Sequence, residues 1–478
     1  MGASRLLITP GLIARVDQAH LTPGRVVKHP ANPLLIEDRP WEPRWDDMKP
    51  SVWRDPVSGR AHLWYTPFIF DSCTTERNGE PWHVEVWPPE MKYLVREPGW
   101  RRELALCYAY SDDGTTWVKP ELGLTDWNGS AANNILLRDP ADPAEDVWMS
   151  GVIGSGVGVD EHDANPARRF KMITGARHGS GERGLAVACS PDGMHWPEPH
   201  RVLPPDAWPE SETTWGDAHN TWIHSAKLDR YIAFTQGWNP GGYVRRLKLR
   251  VESDDFEHWT KPEPVCYEPD VEIHTHVPFM YEGLHLALVH RVTTPDGRGD
   301  GTVDAELAIS GDTKTWCLLT YKRPLIPRGE PGEIDGGCVF AAMSPVVHND
   351  EIRLYYCGGD GAIRGWRRGF WCLATLPIDR WAGYQRVPLD PPGLVETEPI
   401  RLDSPLLWLN VEGPRGSVRV SILDDARGVL AQSDPVAGDG LRLTVPWEDE
   451  AAVRKLVGRS VRLRFTLRAA TVFAFTFG

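Results

Sequence analysis

Ser111-Asp112-Asp113-Gly114, running on to Trp117, is the first of four near-copies of one phrase. Ser190-Pro191-Asp192-Gly193 runs to Trp196, Ser253-Asp254-Asp255 to Trp259, and Ser310-Gly311-Asp312 to Trp316. Each follows a strand-like stretch, at residues 106–110, 185–189, 247–251 and 307–309. The serines at 111, 190, 253 and 310 stand 79, 63 and 57 residues apart. A recurrence of about 50–60 residues in a sequence that reads as strands throughout points to propeller blades. The Ser and Asp side chains are expected to tie a strand-to-strand turn through side-chain-to-backbone hydrogen bonds.

A second pattern alternates with the phrase: an apolar strand, a polar turn and another strand. It occurs at residues 50–65, 148–173, 220–234, 277–289 and 345–356. A degenerate fifth phrase, residues 373–376 with Asp379 and Trp381, completes the count. The expectation is an all-β chain: a five-bladed β-propeller over residues 1–390, then a small β-sandwich over residues 391–478. The break falls at Pro391-Pro392-Gly393, after which strand-like alternation takes over.

Bulk composition narrows the function classes. The 478 residues suit one large domain and one small. With 52 Lys and Arg against 66 Asp and Glu the net charge is −14, which gives no electrostatic reason to bind nucleic acid or an anionic membrane. Eight scattered cysteines without a Cys-x-x-Cys pair read as buried thiols. Residues 1–21 lack a signal-peptide core, and no apolar run reaches membrane-spanning length, so the chain is expected to be soluble and cytoplasmic. Twenty-two tryptophans exceed ordinary usage. The phrase-ending ones are read as packing, and those outside the repeat divide between packing and sugar stacking.

A propeller's default site is the pocket on its axis, lined by the first strand of each blade. Polar residues there are costly unless they serve a ligand. Aligning the hairpins on Pro50, Asn220, Pro278 and Pro345 places Asp47, Asp217, Thr275 and Ala342 in equivalent register three residues earlier. Asp46, His219, His274 and His276 are close by, and Glu333-Ile334-Asp335 approaches the fifth hairpin. Trp41, Glu42 and Trp45 precede the first hairpin, and Trp215 precedes the third. Carboxylates and imidazoles with aromatic neighbours are what glycosidic cleavage requires: one group protonates the leaving oxygen, another attacks or activates water. Asp47 is assigned as nucleophile or base. Asp217 is assigned as a transition-state or pKa-tuning carboxylate and Glu333 as general acid, with these two roles exchangeable. Trp41, Glu42, Trp45, Asp46, Trp215, His219, Asn220, His274, His276 and Asp335 are assigned to substrate binding. His274 and His276 alternate and would share a strand face, as polar lining, sugar ligands or metal ligands. No metal site is assigned and no cofactor is expected; the partner is a carbohydrate.

The five hairpins and their phrases resemble the five-bladed propeller glycosidases of the invertase and fructanase type (glycoside hydrolase family 32) and their arabinanase-type relatives. Residues 461–475 are similar to the end of the β-sandwich that follows the propeller in the invertase type. The resemblance implies a glycosidase acting on a short saccharide or furanoside. The family's Trp-Met-Asn-Asp-Pro-Asn-Gly and Glu-Cys motifs do not occur, so fructose specificity is not carried over. Arg-Asp-Pro occurs at residues 54–56 and 138–140, in each case read as a turn. A glycoside phosphorylase, with Arg177, Arg245, Arg246 and Arg291 available for phosphate, and a non-catalytic sugar-binding propeller are the rival readings. The Trp-rich insertion at 68–103 is read as a lid or a subunit contact, which leaves room for a homo-oligomer.

Overall fold

The computed structural model describes residues 3–71, 102–138, 150–177, 183–203, 219–239, 245–265, 267, 272–294, 301–363, 367–388 and 390–478. Among these the architecture is all-β, with one short helix at Glu450–Arg454 and a single 3₁₀ turn at Pro166–Arg168. No helix among them is long and apolar enough to cross a membrane.

Ser51–Arg54, Ala61–Tyr65, Leu106–Ser111 and Trp117–Val118 lie side by side in that order in one sheet. Ile153–Val159, Phe170–Arg177, Arg183–Ser190 and His200–Leu203 form a second, and Thr221–Ser225, Arg230–Asn239, Arg245–Ser253 and Glu263–Pro264 a third. A ten-stranded sheet holds two further antiparallel runs, one beginning at Glu272–Tyr281 and the other at Cys338–Ala341. These two runs meet through one parallel pairing, Val303 with Cys338. The second is finished by N-terminal strands, Val27–Lys28 and Leu35–Ile36, which pair with Gly369–Pro377.

These runs bond to one another in a closed circuit, through their first strands except where the fourth run uses His290 of its second strand, Leu284–Thr293. The Val157 N–H donates to Ser51 Oγ (3.1 Å), the Asn220 N–H to Gly154 O (2.8 Å), and Thr221 Oγ1 to His276 O (2.6 Å). The Ala341 N–H donates to His290 Nε2 (2.8 Å), and the Met343 N–H to Pro50 O (2.8 Å). Glycine makes the tightest approach possible: a Cβ on Gly156 would lie 1.9 Å from the Asn220 carbonyl oxygen.

The repeated phrase does what its residue types predict. Ser253 Oγ accepts the Phe256 N–H (2.8 Å), while Asp255 Oδ1 accepts those of Glu257 and His258 (both 2.8 Å). The same bonds recur at Ser190/Asp192 and Ser310/Asp312. The indoles of Trp196, Trp259 and Trp316 then donate to the carbonyl of the left-handed residue in each turn. In the first phrase that carbonyl, Gly114 O, is taken instead by Tyr355 from the last run.

Beyond these runs and a small three-stranded sheet of Phe68–Asp71, Arg102–Leu104 and Ser150–Gly151 lie two larger sheets, whose buried residues form one apolar cluster that includes Val395, Val420, Leu463, Val411 and Phe475. A division at 390/391 does not describe them. Arg5–Leu6 pairs with Ala470–Phe477, Ile13–Asp17 with Gly393–Thr397, and His20–Pro23 with Ala382–Arg386. The chain thus begins in the sheets where it ends. Arg380 links them to the last run, donating to Asn410 (2.8 Å), Val411 O (2.8 Å) and Asp439 (2.7 Å).

Gly156→Ala should destabilise by about 3 kcal/mol, because a backbone carbonyl cannot step aside as a flexible side chain does. Gly311→Ala, where nothing lies within 4 Å of the added Cβ, should leave the denaturation midpoint unchanged in the same urea titration.

Candidate active site

The chain enters the circuit through Trp45-Asp46-Asp47-Met48-Lys49-Pro50. Asp46, Met48 and Lys49 all hold positive φ, at 61°, 38° and 43°. Left-handed backbone at non-glycine residues costs on the order of 1–3 kcal/mol each and persists only where surrounding contacts over-determine it. Here the Phe68 N–H bonds Arg44 O (2.9 Å) and the Thr66 N–H bonds Met48 O (2.7 Å), which ties the turn to the strand beside it. Trp45 is fully buried, edge-on to Tyr65. Glu37 accepts the N–H groups of Trp45 (2.6 Å) and Gly369 (3.2 Å), anchoring the turn to the last run as well.

This turn carries two carboxylates in different settings. Asp46 is bound by Arg367, itself 2% exposed, with Arg44 3.5 Å away. Asp47 is 3% exposed and accepts from Lys49 Nζ at 2.9 Å. His274 Nε2 stands 3.9 Å from the other oxygen of Asp47. Burial pushes the His219, His274 and His290 imidazoles down, His290 to about 3, and the charge of Lys248 reinforces this at all three. They are therefore neutral near pH 7 and serve as hydrogen-bonding groups, not cations. His290 Nε2 accepts the Ala341 N–H, so its proton sits on Nδ1. A carboxylate held against an ammonium and faced by neutral imidazoles can act as a nucleophile or base.

Several of the predicted site residues have partners within the scaffold. Glu42 is buried under the turn between Lys119 Nζ and Tyr65 OH, both at 2.5 Å. The Trp41 indole donates to Asn134 (2.7 Å). Trp41, Glu42 and Trp45 thus support the turn, Glu42 and Trp45 from buried positions. Asn220 donates to Ile153 O and Gly154 O and accepts from Thr235, stitching two neighbouring runs together. Asp335 takes Lys28 (2.6 Å) and Tyr356 OH (2.8 Å) within the last run. Glu333 is exposed and accepts the Glu330 N–H (2.9 Å). His274 and His276 do not share a setting. The ladder slips between Ile273 and Thr275, a bulge that cancels the two-residue parity. His276 packs between Phe234 and Trp316 and bonds Tyr267. His219 is buried, with Nε2 3.5 Å from Ser51 Oγ.

Trp215 and Asp217 lie outside the described residues, as do Asp139, Pro140, most of the 68–103 insertion, and the side chains of Arg177 and Arg245. Asp55 of the first Arg-Asp-Pro caps its own turn through Val57 N–H and Ser58. Arg246 pairs with Glu272 (2.6 Å) and Arg291 with Glu306. Among the described residues no three His, Cys, Asp or Glu side chains are grouped to hold a metal ion. Sequence reasoning missed Lys49, Arg367, Lys248 and His290. Lys49 had a signal, its two-residue spacing from Asp47, whereas Arg367 is 321 positions from Asp46 in the chain.

A cavity of about 340 Å³ opens at the other end of the circuit, between Trp53, Asp160, His162, Trp222, His224 and Met343. It contains none of the predicted site residues, and its Asp160 is already engaged by Lys171 (3.2 Å) and Tyr231 OH (2.5 Å). The convergence of charged and imidazole groups favours the Asp47 end over this cavity.

No family model matches the sequence, and no curated protein does. Solved structures similar to the chain include a β-1,2-mannobiose phosphorylase from Listeria innocua bound to β-1,2-mannobiose. That likeness has 12% identity and a TM-score of 0.47, over 74% of this chain and 97% of that one. An α-L-arabinofuranosidase from Podospora anserina in complex with cellotriose has 12% identity and a TM-score of 0.45, over 75% and 98%. A family 32 β-fructofuranosidase from Bombyx mori has 12% identity and a TM-score of 0.41, over 95% and 94%.

Burial raises the Glu37 carboxyl from 4.5 to about 7, against the two N–H bonds and Arg44, which lower it, while Glu42 raises it further. The folded value lies above the unfolded one, so the contribution to stability is full below pH 4.5 and is lost as pH rises through 7. Glu37→Gln removes this dependence. Between pH 4.5 and 7 wild type should lose roughly 2–3 kcal/mol relative to the variant, read from paired urea titrations across that range.

Proposed function

We propose that the chain is a carbohydrate-active enzyme, a glycoside hydrolase built on a five-bladed β-propeller with a C-terminal β-sandwich. The closed circuit of bonds through five antiparallel runs supports the blade count. The apolar cluster shared by the last two sheets supports the sandwich. The observation that carries the function is Asp47: a buried carboxylate at the mouth of the circuit, fixed by Lys49 and faced by His274. Asp47 acts as nucleophile or base, and Asp46, locked by Arg367, contributes fixed charge. Asp217 and Glu333 supply the acid and the transition-state carboxylate. The substrate is a short saccharide or furanoside, and the family 32 resemblance belongs to this proposal.

One observation favours a second reading. Lys49 and Lys248 are both buried beside the imidazoles at this mouth, and buried ammonium groups suit an anionic co-substrate. Phosphate in place of water would make the enzyme a glycoside phosphorylase.

A panel of aryl glycosides and furanosides, with and without inorganic phosphate, tests both readings. Asp47→Asn should lower kcat/KM by about 10³-fold with its circular dichroism unchanged. Turnover that requires phosphate selects the phosphorylase. Sugar binding by the wild type without turnover, in either condition, replaces the enzyme with a non-catalytic binding propeller.

A further inference from the structure

Lys119 follows the first phrase, directly after the strand Trp117–Val118. Lysine normally carries its ammonium to water. This side chain is 1% exposed. Its three donors are all used: Ile36 O at 2.8 Å, Asp38 Oδ1 at 2.7 Å and Glu42 Oε2 at 2.5 Å. The ammonium also sits 4.7 Å from the centre of the Trp45 ring, in cation–π range. Glu42 passes the contact on to Tyr65 OH, which accepts from Asn134, which in turn accepts from Trp41.

All of these contacts but the one between Asn134 and Tyr65 fall on residues 36–45. That segment leaves the strand Leu35–Ile36, on the edge of the last run, and crosses to the first strand of the first run. Its far end is the left-handed turn at Asp46, Met48 and Lys49. A strained turn needs rigid support on the side from which the chain enters. Thr66 and Arg367 hold the turn itself, at Met48 O and at Asp46, whereas the Lys119 contacts hold the segment that leads into it.

We propose that Lys119 is a positioning residue: through Glu42 and the face of Trp45 it holds the turn that presents Asp47. The proposal rests on Asp47 being the catalytic carboxylate only for its kinetic consequence. The structural consequence stands apart from it. A rigid fork with a different donor geometry cannot replace three converging ammonium bonds, so arginine at this position is not conservative.

The test uses the full chain with Lys119→Met/Glu42→Gln, which removes both charges together and leaves neither buried alone. Tyr65→Phe serves as a milder variant, deleting one bond to Glu42 should the double variant fail to fold. Amide hydrogen exchange of residues 45–49 is compared with that of 461–467 in the last sheets. Exchange at 45–49 should rise about tenfold with 461–467 unchanged, as local opening does. On whichever substrate wild type turns over, kcat should fall about tenfold while KM holds, the sign of a displaced reacting group. Unchanged exchange at 45–49, or an equal rise in both segments, overturns the proposal. Full activity in Asp47→Asn sinks the catalytic assignment and leaves the exchange result to decide the positioning role.

Discussion

The contact between the Met343 N–H and Pro50 O, with Val52 N–H returning to Met343 O, closes the circuit on which the rest depends. Strands arranged around an axis leave their inner backbone groups without a sheet neighbour on one side. Unpaired buried groups are costly, so each junction must find donors and acceptors from the next run. The five junctions do so with backbone, Ser51, Thr221 and His290. Gly156 is required because one junction brings strand and carbonyl closer than any Cβ permits. Because Pro50 belongs to the closing junction, the turn before it is fixed from both sides. Asp47, three residues earlier, inherits that rigidity.

The charges at this end are arranged with little waste. Asp46 meets Arg367, Asp47 meets Lys49, Glu272 meets Arg246 and Glu306 meets Arg291. Burying an ion without a partner would cost several kcal/mol, and pairing recovers part of that cost while fixing geometry. The histidines among them give up their charge instead, because burial and neighbouring cations both oppose protonation. The result is a mouth in which charge is directional: carboxylates held by specific cations, and neutral rings free to donate or accept.

The repeated phrase could be read because its bonds span only two to five residues, and residue type alone decides them. The strand runs could be read for the same reason, from alternation and turns. The register that singled out Asp47 followed from those two patterns. Register failed at His276 because a bulge at residue 274 is a one-residue slip, which side-chain alternation in the sequence does not announce. Trp41, Glu42 and Asp335 looked like ligands for a different reason. Their partners Asn134, Lys119, Lys28 and Tyr356 come from distant strands, so each reads as an uncommitted polar or aromatic group until the chain is folded.

Local order was therefore legible: all-β composition, the phrase as a turn-tying device, and the position of the first hairpin's carboxylates. Only the tertiary structure decided which of the nearby polar residues are consumed by the scaffold. It also decided that three strands within residues 5–23 pair with the last two sheets, a placement no local pattern encodes. The physical reason is range. A side-chain-to-backbone bond two residues away depends on the identities of those residues, whereas a buried ion pair depends on where the whole chain brings two distant side chains together.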